Sequence, residues 1–527
     1  MKINTIINKD WIAAAKELPD GCVHTIITSP PYWNQRDYGA DGQLGLEATF
    51  EEHIQNLVVG FREMRRILRD DGTIWVNYGD KFIGGGNGGG NKNDTNVGSL
   101  SARTATGLSQ GNVIGLAWRL AFALQADGWI LRDDVIWAKA ISSFGMHVCP
   151  HCGKELYQRI AGDENLFGEQ EADEVVNHKK SGSTMPESMA GTRWERCRVK
   201  VKDSPMEVKD YGVPGSRRNP VVSGGFANFV GPAYKPCPGC DKCRANGGYV
   251  LRRGSWRCTR AHEYVFQFVK QIPYFSDMEA VKEEYAESSI ADKRDNTHGQ
   301  RRNRNFIGQA QQGGTNLGGN RNGGRNLRDV WTINPQPNGD QMCLNCNYIF
   351  SGRSKKRIKK VDGKQQCPEC GAIDKWSGHY ATFPEALVEP CIKVSTSEKG
   401  VCPKCGSQWA RVIESKQIKR KRPEETAITK PSKDRRPSGN AVAAIETTTL
   451  GWKPTCDCNA GDPVPAVVWD PFSGTSTVAV VAAKLGRNYG GSEISKAYLK
   501  FAEAKILQAE TGISIADAQS GQMAMEF

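Results

Sequence analysis

From residue 464 the chain reads VPAVVW, then Asp470-Pro471-Phe472-Ser473-Gly474-Thr475-Ser476-Thr477, then an apolar stretch to Leu485 and a second strand-like run that ends at Glu493. Strand, glycine turn, helix, strand and acid, in that order, make half of a nucleotide-binding α/β unit. Gly474 lets the backbone pass close to a ligand at the head of a helix, and Glu493, at the end of the next strand, is placed to accept hydrogen bonds from ribose hydroxyls. No GxxxxGK(S/T) pattern occurs, so a nucleoside-type ligand is favoured over a phosphate-rich nucleotide. Taken alone, such a turn is better explained as plain structure.

The first 140 residues ask for the same class of fold. Residues 3–7 and 23–28 are β-branched apolar runs, and the second stops at Ser29-Pro30-Pro31-Tyr32-Trp33, where two prolines force the chain out of a sheet. Thr49 and Glu52 form a capping box ahead of Phe50, Ile54, Leu57, Val58, Phe61, Met64, Ile67 and Leu68, which recur at helical spacing. That helix is expected to end near Asp70-Asp71-Gly72. A strand over 73–76, a helix over 113–125 and a strand over 130–137 follow, an alternation that reads as α/β. The glycine run from Gly84 to Gly90 predicts a loop.

Between 146 and 460 the character changes to insertions: cysteine pairs, an Arg/Asn/Gly-rich tract over 301–328 and a Lys/Arg-rich stretch over 416–436, with one buried strand expected over 261–269. A composition of 38% hydrophobic and 24% charged residues excludes disorder over the whole chain, and a net charge of +12 suits a polyanionic partner. Neither a signal-peptide core nor a membrane-spanning apolar run occurs, so no membrane association and a cytoplasmic location are expected. In a reducing compartment, 17 cysteines read as metal ligands.

Cys343-x-x-Cys346 and Cys367-x-x-Cys370 have zinc-ribbon spacing, in which four thiolates close a tetrahedral site. Cys402-x-x-Cys405 with Cys456-x-Cys458 forms a second candidate across a long excursion. A third draws on Cys149 and Cys152 with two of Cys237, Cys240 and Cys243, and leaves Cys197 and Cys258 unassigned. Cys22 and Cys391 read as isolated core thiols.

The order TSPPYW first and DPFSGTSTV last resembles the β-class DNA amino-methyltransferases of restriction-modification systems, whose cofactor-binding half is permuted behind the catalytic half. Asn8-Lys9-Asp10, IWAK at 136–139, MPES at 185–188, AHEYVF at 261–266, RDVWTI at 328–333 and HYATFPEALVEPCI at 379–392 resemble family blocks in family order. The resemblance implies a permuted Rossmann-like α/β sheet for a methyltransferase dependent on S-adenosyl-L-methionine (SAM), with inserted zinc-binding modules. It implies cofactor contacts from Asp10, Thr382, Phe383, Pro384, Asp470, Phe472, Ser473, Gly474, Thr475 and Glu493, and a catalytic loop of Ser29, Pro30, Pro31 and Tyr32. In that loop the Ser29 hydroxyl and the Pro30 carbonyl would accept the protons of an aromatic amine, favouring a pyramidal nitrogen, while Tyr32 stacks on a flipped base. Two positions depart from the family pattern, with Ser476 standing for a glycine and Lys9 for another.

The resulting domain plan is a catalytic half over 1–145, a cysteine-rich insertion carrying target recognition over 146–260, a core strand with a basic segment over 261–335, a zinc ribbon over 336–378, a SAM-pocket segment over 379–400, a second zinc knuckle with a basic loop over 401–460, and the SAM-binding half over 461–527. The implied partner is double-stranded DNA, with a restriction nuclease as companion activity. Serine before Pro-Pro-Tyr points to the cytosine N4 amine, with adenine N6 as the alternative. A zinc-stabilised nucleic-acid binder with a decayed methyltransferase core, and a methyltransferase for RNA or a protein amide, are the rival classes.

Overall fold

The structure, a computed structural model, describes residues 3–37, 42–83, 107–139, 144–148, 155–159, 192–200, 234–283, 326–335, 341–378, 383–418 and 444–515, less 110, 253–255, 259, 344, 347, 351–359, 362–363, 374–375 and 514 within them. The glycine run 84–90, the MPES block, Cys149, Cys152, Thr382 and most of both basic tracts lie outside the described residues.

Eight strands build the central sheet: β1 (Thr5–Ile7), β2 (Val23–Thr28), β3 (Leu68–Tyr78), β4 (Ile130–Lys139), β5 (His262–Val269), β6 (Val330–Ile333), β7 (Val467–Asp470) and β8 (Asn488–Ser492), in the spatial order β1-β8-β7-β2-β3-β5-β4-β6. All neighbours are parallel except β5, which runs antiparallel between β3 and β4. β2 and β7 are buried at every residue, as continuous apolar runs covered on both faces should be.

Side-chain alternation along these strands sorts the core into two layers. Ile26, Ile74, Val76, Phe266 and Phe268 face one layer, packed by helices α1 (Trp11–Lys16), α2 (Phe50–Ile67) and α3 (Leu116–Ala126). Ile27, Trp75, Val265 and Val468 face the other, packed by α4 (Glu385–Ser395), α5 (Thr477–Lys484) and α6 (Lys496–Thr511). The α/β expectation therefore holds, with the glycine-turn unit last in the chain and central in the sheet.

Thr49 caps α2 as expected, its Oγ1 accepting from the Glu52 amide at 3.1 Å, and every apolar position named for this helix is buried. One boundary differs. The helix passes into β3 at Leu68 with no intervening turn, because Leu68 is itself fully buried and pairs with Val23, drawing Asp70-Asp71-Gly72 into the strand.

Both cysteine modules near the C-terminal half are joined to the core. The first ribbon, with strands Gln341–Cys343, Ile349–Phe350 and Trp376–Gly378, packs Met342 and Ile349 on Tyr498 and Phe501 of α6. At the second, the Arg69 guanidinium donates to the Cys405 carbonyl at 2.7 Å, and buried His24 spans from the Gly406 carbonyl at 3.1 Å to the Val467 amide at 3.0 Å. Burial, then the Arg69 charge, push the His24 imidazole down to about 4, so it bridges as a neutral ring. From this knuckle runs the antiparallel hairpin Ala410–Ile418 with Ala444–Lys453.

Candidate active site

β2 and β7 lie side by side and parallel, Thr25 against Val468 and Ile26 against Trp469. From β2 the chain crosses to β3 through α2 on one face, and from β7 it crosses to β8 through α5 on the other. Opposed crossovers leave a crevice at the carboxyl ends of the two strands, where Ser29 and Pro471 begin their loops. The two motifs that open and close the sequence thus face one another.

A cleft of about 870 Å³, open to solvent, occupies that crevice. Of the expected site residues it brings together Asp10, Ser29, Pro31, Phe383, Asp470, Phe472, Ser473, Gly474, Thr475 and Glu493; Lys9, Trp11, Gln43, Leu44, Pro471, Ile494 and Tyr498 complete much of the lining. Pro30 and Pro384 are buried and do not line the cleft, and Pro384 instead precedes α4 at its N-cap.

Backbone donors organise the carboxylates. Glu493 accepts from the Gly474 amide at 2.8 Å and the Ser495 amide at 2.7 Å. Asp470 accepts from the Thr28 hydroxyl at 2.8 Å and the Phe472 amide at 3.0 Å, which ties β2 to β7 at the floor of the cleft. Burial outweighs these bonds and raises both carboxyl groups to about 7. Asp10 caps α1, accepting from the Ile12 and Ala13 amides at 2.9 and 3.1 Å.

The turn itself is tight. Gly474 has φ +52°, and a Cβ on Gly491 would stand 2.2 Å from Ser473 Oγ and 2.5 Å from the Asp470 carbonyl, so β8 passes beneath the loop only as glycine. Ser476, where the sequence resemblance expects a glycine, takes the left-handed conformation at φ +59°. That conformation costs roughly 1 kcal/mol for a residue with a Cβ. Thr475 Oγ1 and Ser476 Oγ are buried with no hydrogen-bond partner among the described residues.

Tyr32 is not among the cleft-lining residues. Its ring lies 4.6 Å from that of Tyr78, and its phenol donates to Glu263 Oε2 at 2.9 Å. Asn77 Nδ2 donates to both, at 2.9 Å each, and Lys139 pairs with the other Glu263 oxygen. Burial and then the Glu263 charge raise the phenol well above its ordinary value, which keeps it a proton donor. Asn77, Lys139 and Glu263 are absent from the sequence-based site; they sit on three different strands, and only the IWAK and AHEYVF blocks hint at two of them.

Among the described residues, three groups of four cysteines have all their sulfurs within 4.8 Å of one another. Two are the expected sets, Cys343/Cys346/Cys367/Cys370 and Cys402/Cys405/Cys456/Cys458. In the third, all of Cys237, Cys240 and Cys243 are joined by Cys197, which the sequence left unassigned, in place of the expected Cys149 and Cys152, which lie outside the described residues. In the ribbon the sulfur separations Cys343–Cys370 and Cys346–Cys367 are both 3.6 Å, far longer than a disulfide. A tetrahedron with metal–sulfur arms of about 2.3 Å has edges of about 3.8 Å. Gly371 and Gly406, at φ +72° and +73°, close matching knuckles by donating to the carbonyls of Cys367 and Cys402.

Comparison with known proteins adds a family. A family model described as DNA methylase matches residues 23–159, 232–403 and 462–504, together more than half of the chain. Type II methyltransferase M.Cfr9I of Citrobacter freundii is 45% identical over 138 residues, 26% of this chain and 46% of that protein. Type II methyltransferase M.SmaI of Serratia marcescens is 47% identical over 137 residues, 25% and 47% of the two chains. The match thus spans about half the length of these curated relatives. Among solved structures, the PvuII DNA methyltransferase (cytosine-N4-specific) aligns at 11% identity and a TM-score of 0.37, over 99% of this chain and 91% of that one. Among the described residues no helix is long and apolar enough to cross a membrane. With the Pro-Pro-Tyr loop and the glycine turn sharing one cleft and the family model spanning both, the chain belongs to the DNA methylase family.

Proposed function

We propose that this chain is a SAM-dependent DNA methyltransferase acting on the exocyclic amine of a flipped base, cytosine N4 in preference to adenine N6. The single observation that carries this reading is the shared cleft: Ser29 and Pro31 line it opposite Phe472, Gly474 and Glu493. The lining suits the cofactor, combining the three carboxyl groups of Asp10, Asp470 and Glu493, a buried Thr475 hydroxyl without a partner among the described residues, and apolar walls from Trp11, Phe383 and Phe472. When bound, SAM supplies an electrophilic sulfonium methyl. Glu493 and Asp10 would hold the ribose and adenine end, and Asp470 and the turn backbone the amino-acid end.

Ser29 Oγ and the Pro30 carbonyl accept the amine protons, so that the nitrogen lone pair leaves the ring system and points outward. Tyr32, held at its phenol by Glu263 and Asn77, fixes the position of the loop and stacks on the extruded base. Zinc at the Cys343 and Cys402 sets would close structural four-thiolate centres, a reading supported at the first by sulfur separations that fit a tetrahedron and at the second by four sulfurs within 4.8 Å. The substrate is double-stranded DNA, a reading supported by the family and by the net positive charge.

Mass spectrometry of nucleosides from DNA exposed to the protein tests the reaction and the base together. N4-methylcytosine is expected; N6-methyladenine alone would overturn the base assignment, and no methylated nucleoside the activity. Ser29→Ala should slow transfer at least about tenfold, roughly the 1.4 kcal/mol of one hydrogen bond, with SAM affinity unchanged.

A further inference from the structure

Outside the cleft, residues 192–200 and 234–260 carry eleven lysines and arginines against two acids. Within them Arg193–Arg196 and Tyr249–Arg252 form an antiparallel ribbon that sets Leu251 opposite Trp194 and Tyr249 opposite Arg196. Side chains alternate across such a ribbon. On the inner face the charges are partly paired, since Glu195 meets Arg193 and, at 3.5 Å, Arg252. The outer face does not: Trp194 is 54% exposed, Tyr249 39% and Leu251 38%, and the Arg196 guanidinium lies 5.5 Å above the Tyr249 ring.

A two-stranded ribbon is marginal by itself in water, and 52 residues separate the ends of its strands at Arg196 and Tyr249. Four cysteines close that gap. Cys197 follows the first strand directly, its amide donating to the Gly248 carbonyl at 2.8 Å while its own carbonyl accepts from Cys237 at 2.9 Å. The sulfurs of Cys197–Cys240, Cys240–Cys243 and Cys243–Cys237 stand 3.8, 3.7 and 3.9 Å apart, the edges of a tetrahedron around a zinc ion rather than disulfides.

We propose that Cys197, Cys237, Cys240 and Cys243 bind one zinc ion, and that this closed centre fixes a ribbon whose outer face of Trp194, Arg196, Tyr249 and Leu251 engages the DNA duplex. The four thiols release their protons to solvent as the ion binds. Even with the centre's own charge of −2, the module stays strongly positive, which matches a polyanion. A two-stranded ribbon also has the width a major groove admits. Its exit leads to the residues that hold Tyr32: Arg257 lies 3.5 Å over the Phe82 ring and Arg260 3.5 Å from Asp80, both just beyond β3, and Glu263, which accepts from the Tyr32 phenol, follows in β5. The choice of DNA as occupant rests on the proposed function, while the metal centre does not.

The test pairs zinc content of the freshly purified full chain with binding of a short mixed-sequence duplex, SAM affinity being measured alongside. The wild type should hold three zinc ions, one for each cysteine group, and Cys197→Ser/Cys237→Ser two, with exposed Cys258→Ser as a control that keeps three. Should the double variant not fold, the zinc released by a mercurial from the wild type gives the same number. Trp194→Ala should weaken duplex binding roughly tenfold. Arg196→Ala should reduce the slope of log affinity against log salt by about 0.9. Neither should alter zinc content or SAM affinity. Fewer than three zinc ions in the wild type, or three in the double variant, overturns the metal centre, and duplex binding unchanged in both surface variants overturns the ribbon face. Ribbon-dependent duplex binding without methyl transfer would sink the catalytic reading alone.

Discussion

Asp470 and Glu493 are buried carboxyl groups beside one glycine turn, each raised to about 7 from an ordinary value near 4. A group whose folded value is raised contributes stability that is present below its unfolded value and lost as pH rises through its folded one. The unliganded protein should therefore lose this contribution between about pH 4 and pH 7. SAM, bringing hydroxyl donors and positive charge, favours the ionised carboxylates, so binding should release protons and tighten as pH rises from 6 towards 8. Calorimetry in buffers of different ionisation enthalpy checks this, with Glu493→Gln expected to release fewer protons; binding without proton release near pH 6.5 would contradict the assignment of these groups to the cofactor. Gly474, Asp470 and Glu493 are legible in the sequence because a glycine and an acid at strand ends announce a close backbone approach. The Asn77–Glu263–Lys139 network is not, since nothing local tells that polar side chains on three strands converge.

At the scale of elements, α2 shows how packing overrides propensity. Gly60 sits in mid-helix, where alanine ordinarily gains about 1 kcal/mol. Here a Cβ would stand 1.9 Å from the Trp11 indole, the side chain by which α1 packs against α2. Gly60→Ala should therefore destabilise by about 1–3 kcal/mol, read as a lower denaturant midpoint at constant slope; a rise in the midpoint would mean that the indole moves aside freely. Helix α2 and strands β2, β4 and β5 are legible to within a few residues because their apolar periods are long and their caps explicit. The early start of β3 is not, because Asp70-Asp71-Gly72 carries a turn signature that pairing with β2 overrides. Nor does any local signal show that β5 runs antiparallel, which depends on where the long insertions return the chain.

For the molecule as a whole, the second knuckle is a strut between distant parts of the chain. Its Cys405 and Gly406 carbonyls meet Arg69 and His24, and His24 in turn meets Val467 at the head of β7. The cysteine spacing picks out the four-cysteine set and its long excursion, but not that the set braces the core, because His24 gives no sign in sequence of its partners. The hairpin Ala410–Ile418 with Ala444–Lys453 brackets residues 419–443, and the four cysteines divide two before and two after that stretch. Continuity of the backbone there should consequently be dispensable. Two separately synthesised pieces, 1–430 and 431–527, should complement one another: the nine paired positions of the ladder, the four-cysteine set and the β2–β7 seam should all reassemble across the break. The pair should co-elute and bind SAM, and a chelator should loosen it. Pieces that never associate would show that this strut needs the covalent thread it was thought to replace.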